Sequence, residues 1–169
     1  RMIESYNRKY PGAALFLGHM ETLVTDPGYY IAASGRKRRF FFTELASLDG
    51  LSDYTRRSVL SGLLRQARNF PMQNLVADTT SRALVTFMET RRALGLQAKV
   101  MMLLYDAMTV MCPLEELRVV IPTLENCLTR WCPWKLNGRD FHFSTDTDIG
   151  LRWGVKPTVE EKNKIEQYL

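Results

Sequence analysis

The stretch KVMMLLYDAMTVM, residues 99–111, decides the fold prediction. Its two apolar arms, residues 99–104 and 108–111, have the length and the composition of buried strands. Tyr105, Asp106 and Ala107 separate the arms, which predicts an antiparallel hairpin with a carboxylate at its tip. Helical patterns lie on both sides of this hairpin, so the order of elements predicts an α+β fold.

The composition is typical of a globular protein with a hydrophobic core. Of the 169 residues, 46% are hydrophobic and 24% are charged, which suits about one domain and excludes a disordered or low-complexity chain. The longest apolar run, residues 100–104, is far shorter than the ~20 residues of a transmembrane helix. An integral membrane protein is therefore excluded, and we expect no membrane partner.

The net charge of +5 is concentrated in the first part of the chain. Residues 1–70 hold 11 Lys and Arg against 6 Asp and Glu, whereas residues 71–169 hold 12 of each. A one-sided basic excess is typical of a protein that binds a polyanion, although a solvated basic face is the alternative.

The chain has three cysteines, an odd number at irregular spacing: Cys112, Cys127 and Cys132. This pattern favours a reducing compartment over a disulfide framework.

Periodicity and turn residues predict the remaining elements. Expected helices are residues 2–24, interrupted near Pro11, then 52–64, 72–94 with a stop at Gly95, 113–130 with a kink at Pro122, and 158–169 with a capping box. Expected strands are residues 29–32, 134–136, 141–143 and 149–153. Asn137-Gly138 predicts a turn. The apolar block of residues 40–42 is expected to be buried. Asp146 and Asp148 favour a solvated turn over a metal site.

Asp106 is the candidate catalytic and metal-binding carboxylate. A rigid carboxylate at the end of a buried hairpin suits a hard cation such as Mg²⁺, which prefers oxygen ligands. An aspartate at this position can also simply cap the turn. Because one carboxylate does not make a two-metal site, the metal interpretation requires a partner residue.

Arg65, Asn69 and Gln73 recur every four residues, so they share one face if the segment is helical throughout. Asn and Gln amides can donate to the N3 and O2 acceptors that every base pair presents in the minor groove, and Arg can bind phosphate or a base edge. The alternative is a polar helix face that hydrogen-bonds neighbouring loops.

Five segments in the same order resemble the C-terminal part of family A DNA polymerases, the class typified by bacterial DNA polymerase I. Each resembles a short motif of the family: Tyr10-Pro11-Gly12 after the finger helix, Gly28-Tyr29-Tyr30 with Gly35 to Arg38, Arg65 to Gln73 ending at Ala77-Asp78, Leu104 to Ala107, and Gly150 to Trp153. Single motifs of this kind are weak, but five in order across about 150 residues are strong.

The resemblance implies a function for the candidate residues. Asp106 would be a palm aspartate that binds the two catalytic Mg²⁺ ions, in an enzyme that extends a primer with dNTPs. Arg65, Asn69 and Gln73 would hold the primer–template DNA from the minor-groove side. Three basic residues, Arg36, Lys37 and Arg38, would lie along the duplex backbone.

The sequence departs from the family pattern beside the aspartate. Tyr105 stands where the family has His and can still hydrogen-bond a primer phosphate or sugar, whereas Ala107 replaces a palm Glu. Leu64 and Asn74 also replace family residues, a Glu and a Gly. These changes suggest a divergent relative, such as a phage enzyme, in the cytoplasm of a bacterium or of a phage-infected cell.

The finger residues and the first palm aspartate of the family have no counterpart in this sequence. The resemblance therefore implies a fragment or a split subunit, completed by a complementary polymerase chain that carries the fingers and the first palm motif. Its parts would be a helical segment (residues 1–27), a palm segment (28–155) with the catalytic hairpin (99–112), and a polar C-terminal helix (156–169). The alternative is a non-catalytic DNA-binding palm remnant or an accessory subunit.

Overall fold

The computed structural model describes residues 2–41, 50–131, 133–136 and 138–169. The chain forms two compact units, Arg1–Leu75 and Val76–Leu169. Phe42, Cys132 and Asn137 lie outside the described residues. The family-based boundaries at residues 27 and 155 stay a prediction.

The first unit contains two helices, one hairpin and the first part of a long helix. Its elements are α1 (Met2–Lys9), α2 (Pro11–Thr25), β1 (Tyr29–Ile31), β2 (Lys37–Arg39) and the beginning of α3 (Asp53–Ala93). Pro11 opens α2, where its missing N–H costs no helical hydrogen bond. The predicted break between two helices near Pro11 is therefore confirmed, as is the strand that follows Gly28.

The prediction of two helices over residues 52–94 is wrong, because α3 is continuous and contains Pro71. A proline within a helix removes one backbone hydrogen bond and strains the preceding turn. Here Pro71 is itself buried, and the neighbouring positions Ala67 and Leu75 are buried as well. Packing of this apolar side offsets the local cost and keeps the helix intact.

The core of the first unit combines α2, the end of β2 and α3. Its buried residues are Met20, Val24, Phe40, Leu63 and Ala67. The prediction that residues 40–42 are all buried is wrong for Phe41, whose side chain is 70% exposed. Phe41 lies in a turn after the end of β2, where the chain leaves the core.

In the second unit, helices pack against one face of a hairpin. Its elements are the end of α3, β3 (Lys99–Leu104), β4 (Ala107–Met111), a 3-10 turn (Leu114–Glu116), α4 (Leu117–Leu128), β5 (Trp134–Leu136), β6 (Arg139–Phe141) and α5 (Val159–Glu166). Gly95 ends α3 as predicted, with a positive φ of 67° and hydrogen bonds typical of a Schellman motif. The capping box of α5, formed by Thr158 and Glu161, is also confirmed.

Two strand predictions in the second unit need correction. The strand expected at residues 141–143 lies at Arg139–Phe141, because the tight turn at Gly138 pairs Leu136 directly with Arg139. Residues 149–153 form bends and a turn instead of a strand. There the side chain of Arg152 donates a hydrogen bond to Glu161 at 2.9 Å and ties this segment to α5.

The core of the second unit lies between the last turns of α3, the hairpin and α4. Its buried residues are Ala83, Phe87, Ala98, Val120 and Cys127. Val100, Met108 and Val110 of the hairpin pack against this cluster from one face. No helix among the described residues is both long enough and apolar enough to span a membrane.

Candidate nucleic-acid interface and carboxylate site

A row of polar side chains lies on the first part of α3. Arg65, Asn69 and Gln73 are all exposed, and because α3 is continuous they share one face of the helix. Leu63 and Ala67 are buried in the core of the first unit. The side chain of Arg65 donates from Nε to the carbonyl of Ser61 at 3.4 Å, within its own helix.

The β1–β2 hairpin presents a row of cations in the same unit. Lys37, Arg38 and Arg39 form β2, and all three are exposed. Lys37 Nζ lies 3.5 Å from the centre of the Tyr29 ring, which favours the ammonium group electrostatically. A concentration of positive charge of this kind suits a polyanion.

Arg38 attaches the hairpin to α3. Its Nη2 donates to Gln66 Oε1 at 3.0 Å, and its guanidinium lies 5.6 Å from the centre of the Phe70 ring. Tyr30 meets the same ring edge-on at 6.1 Å. We call this group of Tyr30, Arg38, Gln66 and Phe70 the hairpin brace. It holds the cations of β2 beside the part of α3 that carries Arg65 and Asn69.

Gln66 and Phe70 were not identified as candidate residues from the sequence. Their spacing of four residues places them on one helix face, and that signal was available. The sequence did not reveal that this face meets the hairpin, because residues 28 positions apart, such as Arg38 and Gln66, become neighbours only in the folded chain.

Tyr105 and Asp106 form the tip of the β3–β4 hairpin in the second unit. Leu104 pairs with Ala107, so the turn contains only these two residues. Tyr105 has a φ of 55°, an uncommon backbone conformation for a bulky side chain, and it is 88% exposed. Asp106 is exposed and makes no hydrogen bond or ion pair with any described residue. Both side chains are therefore available to a ligand.

The base of this hairpin is fixed by two charged side chains. The Glu116 carboxylate accepts hydrogen bonds from the backbone N–H groups of Gln97 at 2.7 Å and Ala98 at 3.0 Å. Arg91, in the last turn of α3, donates to the Ala98 carbonyl. Burial, together with the negative charge of Glu116, raises the pKa of the nearby Cys112 thiol.

The outer face of the β3–β4 hairpin is apolar and exposed. Met101 is 59% exposed, Leu104 49% and Met111 54%. The core covers one face of the hairpin. A β-bulge at Met101 shifts the register between β3 and β4. Burial of the hairpin is therefore confined to the face that meets the core.

Asp106 can contribute to a metal site but cannot complete one with its described neighbours. Within the described residues, no group of three or more His, Cys, Asp or Glu side chains could hold a metal ion. An exposed, unpaired carboxylate nevertheless has the oxygen chemistry that Mg²⁺ prefers. The described donor set thus fits one protein ligand of Mg²⁺, with the remaining ligands from elsewhere.

The sequence model for DNA polymerase family A matches residues 1–155. The chain belongs to DNA polymerase family A. It is 26% identical over 147 residues to DNA polymerase I of Geobacillus stearothermophilus and 26% identical over 149 residues to DNA polymerase I of Bacillus caldotenax. These matches cover 83% and 85% of this chain but only 15% of each relative.

A solved structure shares the fold. The chain is similar to the POL domain of Pol1 from M. smegmatis, determined as a complex with a DNA primer-template and dNTP, with a TM-score of 0.67 and 19% sequence identity. The match covers 78% of this chain and 22% of that chain. The resemblance to family A and the α+β fold class are confirmed, whereas the roles of individual residues stay predictions.

Proposed function

We propose that this family A chain is part of a DNA-directed DNA polymerase and supplies it with a palm aspartate and with contacts to the primer–template. The observation that carries the proposal is the position of Asp106, which is exposed and unpaired among the described residues at the tip of a two-residue turn. That turn lies within the segment that matches the family. An aspartate that only capped the turn would not need a carboxylate that is exposed and unpaired among the described residues.

The first unit would bind the primer–template. Asn69 and Gln73 would donate to acceptors that all base pairs share in the minor groove, so the contact would follow duplex geometry and not sequence. Arg65, with Arg36, Lys37 and Arg38, would neutralise backbone phosphates. The exposed face of α3 and the hairpin brace support this assignment.

The second unit would present Asp106 to the reacting end of the primer. Asp106 would bind Mg²⁺ together with a second aspartate from the complementary chain, and Tyr105 would hydrogen-bond a phosphate or sugar of the primer. The chemistry that bound Mg²⁺ supplies in such sites is a lower pKa of the attacking hydroxyl and neutralisation of phosphate charge. The contacts of Glu116 and Arg91 with residues 97 and 98 would hold the start of the hairpin that carries Asp106.

The complementary chain would cover the outer face of the β3–β4 hairpin. Among the described strands, β3 and β4 pair only with each other, so each leaves an edge unpaired. Exposed Met101, Leu104 and Met111 add an apolar surface next to these edges. A chain with the fingers, the first palm motif and the dNTP contacts would bury this surface.

The test is to purify the chain together with the polypeptide that binds it and to measure dNTP incorporation on a primer–template with Mg²⁺. We expect incorporation by the complex and none by either chain alone. A complex that binds the primer–template but never incorporates dNTP would contradict the proposal and support a non-catalytic palm remnant. The replacement of the palm Glu by Ala107 is the observation that favours this second candidate.

A further inference from the structure

A basic cleft lies between β2 and α3 in the first unit. It has a volume of about 330 Å³ and is lined by Arg38, Arg39, Phe41 and Gln66 among others. This volume is at the low end of the range of about 300–1,000 Å³ that is usual for small-molecule sites. The cleft can therefore admit one unstacked nucleotide but not a base-paired duplex.

Charge defines the class of ligand. Among the described residues that line the cleft, three are cations and none is a carboxylate. Arg38 is held by Gln66, and Lys37 lies over Tyr29, so both cations are fixed in position. Arg39 is exposed, and its guanidinium has the paired N–H donors that bind phosphate well.

Phe41 supplies a surface for a base. Phe41 is one of the residues that line the cleft and is 70% exposed, while Phe40 beside it lies in the core with 3% exposure. A positive groove combined with an exposed aromatic ring is the usual arrangement for binding single-stranded nucleic acid, because every base can stack on a ring. A protein partner with an apolar surface would not require three cations.

We propose that this cleft binds single-stranded DNA, with one base stacked on Phe41 and a flanking phosphate bound by Arg39. The proposal rests on the proposed function, since it extends the primer–template surface to an unpaired segment of the same substrate. It adds two residues, Arg39 and Phe41, to those assigned to the duplex.

The test measures the affinity of the full chain for a labelled oligothymidylate and for a duplex of equal length. Phe41→Ala should weaken binding of the single strand about 5- to 150-fold, the equivalent of about 1–3 kcal/mol for a stacked base. Binding of the duplex should stay unchanged, and Phe41→Trp should restore binding of the single strand. Tyr54→Ala is the matched control, because Tyr54 is 82% exposed and does not line the cleft.

Arg39→Gln should reduce the salt dependence of single-strand binding by about 0.7 in the log–log slope, the value for one phosphate. Single-strand affinity that is unchanged by Phe41→Ala, or an equal loss for single strand and duplex, would overturn the proposal. Competition by free thymidine monophosphate as strong as that by the oligonucleotide would assign the cleft to a free nucleotide and would also overturn it.

Failure of this proposal is distinguishable from failure of the proposed function. Incorporation of dNTP by the assembled complex, with Phe41→Ala harmless to single-strand binding, would reject the cleft alone. Single-strand binding that depends on Phe41, in a complex that never incorporates dNTP, would reject polymerase activity and retain the cleft.

Discussion

The β1–β2 and β3–β4 hairpins differ in what they expose. The first hairpin is attached to α3 by the polar and aromatic contacts of the hairpin brace, and its exposed strand is a row of cations. The second packs one face against a hydrophobic core and exposes methionine and leucine on the other. Water solvates the first surface well, whereas the second gains stability only when another apolar surface covers it. Under the proposed function, the first hairpin would bind DNA, and the second would carry Asp106 at its tip and dock the complementary chain with its apolar face.

The largest expected effect is a loss of stability in one hairpin when a residue of the core beneath it is truncated. Phe87 is fully buried beneath the second hairpin, so Phe87→Ala should cost about 3–5 kcal/mol of stability there. Amide hydrogen exchange should accelerate strongly in β3 and β4 and remain slow in β1 and β2. Met20→Ala, in the core of the first unit, is the matched control and should produce the opposite pattern. If either variant accelerated amide exchange equally in both hairpins, the two hairpins would not be stabilised by separate cores.

The apolar face of the second hairpin provides the next test. Leu104→Thr should weaken association with the complementary chain about fivefold, because this leucine is 49% exposed and can gain only about half of the ~1.5–3 kcal/mol that full burial contributes. Val85→Thr is a matched control on an exposed position of α3. The measurement is the dissociation constant of the complex by calorimetry. If both variants bind as tightly as the wild type, the outer face of the hairpin is not the docking surface.

The brace of the first hairpin should contribute less. Arg38 and Gln66 are both exposed, so their hydrogen bond and the Arg38–Phe70 contact should together contribute about 1 kcal/mol. A double-mutant cycle of Arg38→Met and Gln66→Ala, measured by chemical unfolding, should give a coupling energy of this order. Additive effects of the two substitutions would show that the hydrogen bond does not stabilise the hairpin.

The polar face of α3 should respond without regard to DNA sequence. Asn69→Ala and Gln73→Ala should each weaken primer–template binding by the complex by about 0.5–1.5 kcal/mol, the usual net value of a hydrogen bond. Arg65→Gln should reduce the salt slope by about 0.9, the value for one duplex phosphate. Gel-shift titrations with several primer–template sequences provide the measurement. Losses that vary strongly with sequence would contradict minor-groove recognition of shared acceptors.

The smallest expected effect lies away from both hairpins, at α5. A hydrogen bond from the Thr158 N–H, with support from Arg152, holds the pKa of the Glu161 carboxyl below its ordinary value. The resulting stability is present above the ordinary pKa of Glu, about 4.3, and is lost as the pH falls through the lower folded-state pKa. Protection of the α5 amides, measured against their intrinsic exchange rate at the same pH, should therefore fall only in acid, and Glu161→Gln should remove this pH dependence. Exchange with the same acid response in both proteins would contradict the role of the cap.

Local signals in the sequence predicted most elements correctly. The hairpin at residues 99–111, the end of α3 at Gly95 and the capping box of α5 depend on neighbouring residues, so the sequence pattern identified them. The continuity of α3 through Pro71 could not be predicted in this way, because packing on the buried side of the helix overrides a local helix breaker.

The candidate site shows the same division. The spacing of Arg65, Asn69 and Gln73 identified one exposed helix face, and the short turn identified Asp106. The brace between Arg38 and Gln66, the contacts of Glu116 with residues 97 and 98, and the exposure of Phe41 depend on how distant segments meet. Periodicity within one element contains no information about such contacts.

The central claim is that Asp106 is a catalytic metal ligand. The most direct test is single-turnover dNTP incorporation by the Asp106→Asn protein assembled with its complementary chain. Asparagine keeps the shape of the side chain but removes its charge, so folding and DNA binding should be intact while incorporation falls by several orders of magnitude. Asp140→Asn, an exposed aspartate on the β5–β6 hairpin, should leave the rate unchanged. A rate for Asp106→Asn within about tenfold of wild type, a barrier change of only ~1.4 kcal/mol, would contradict the claim.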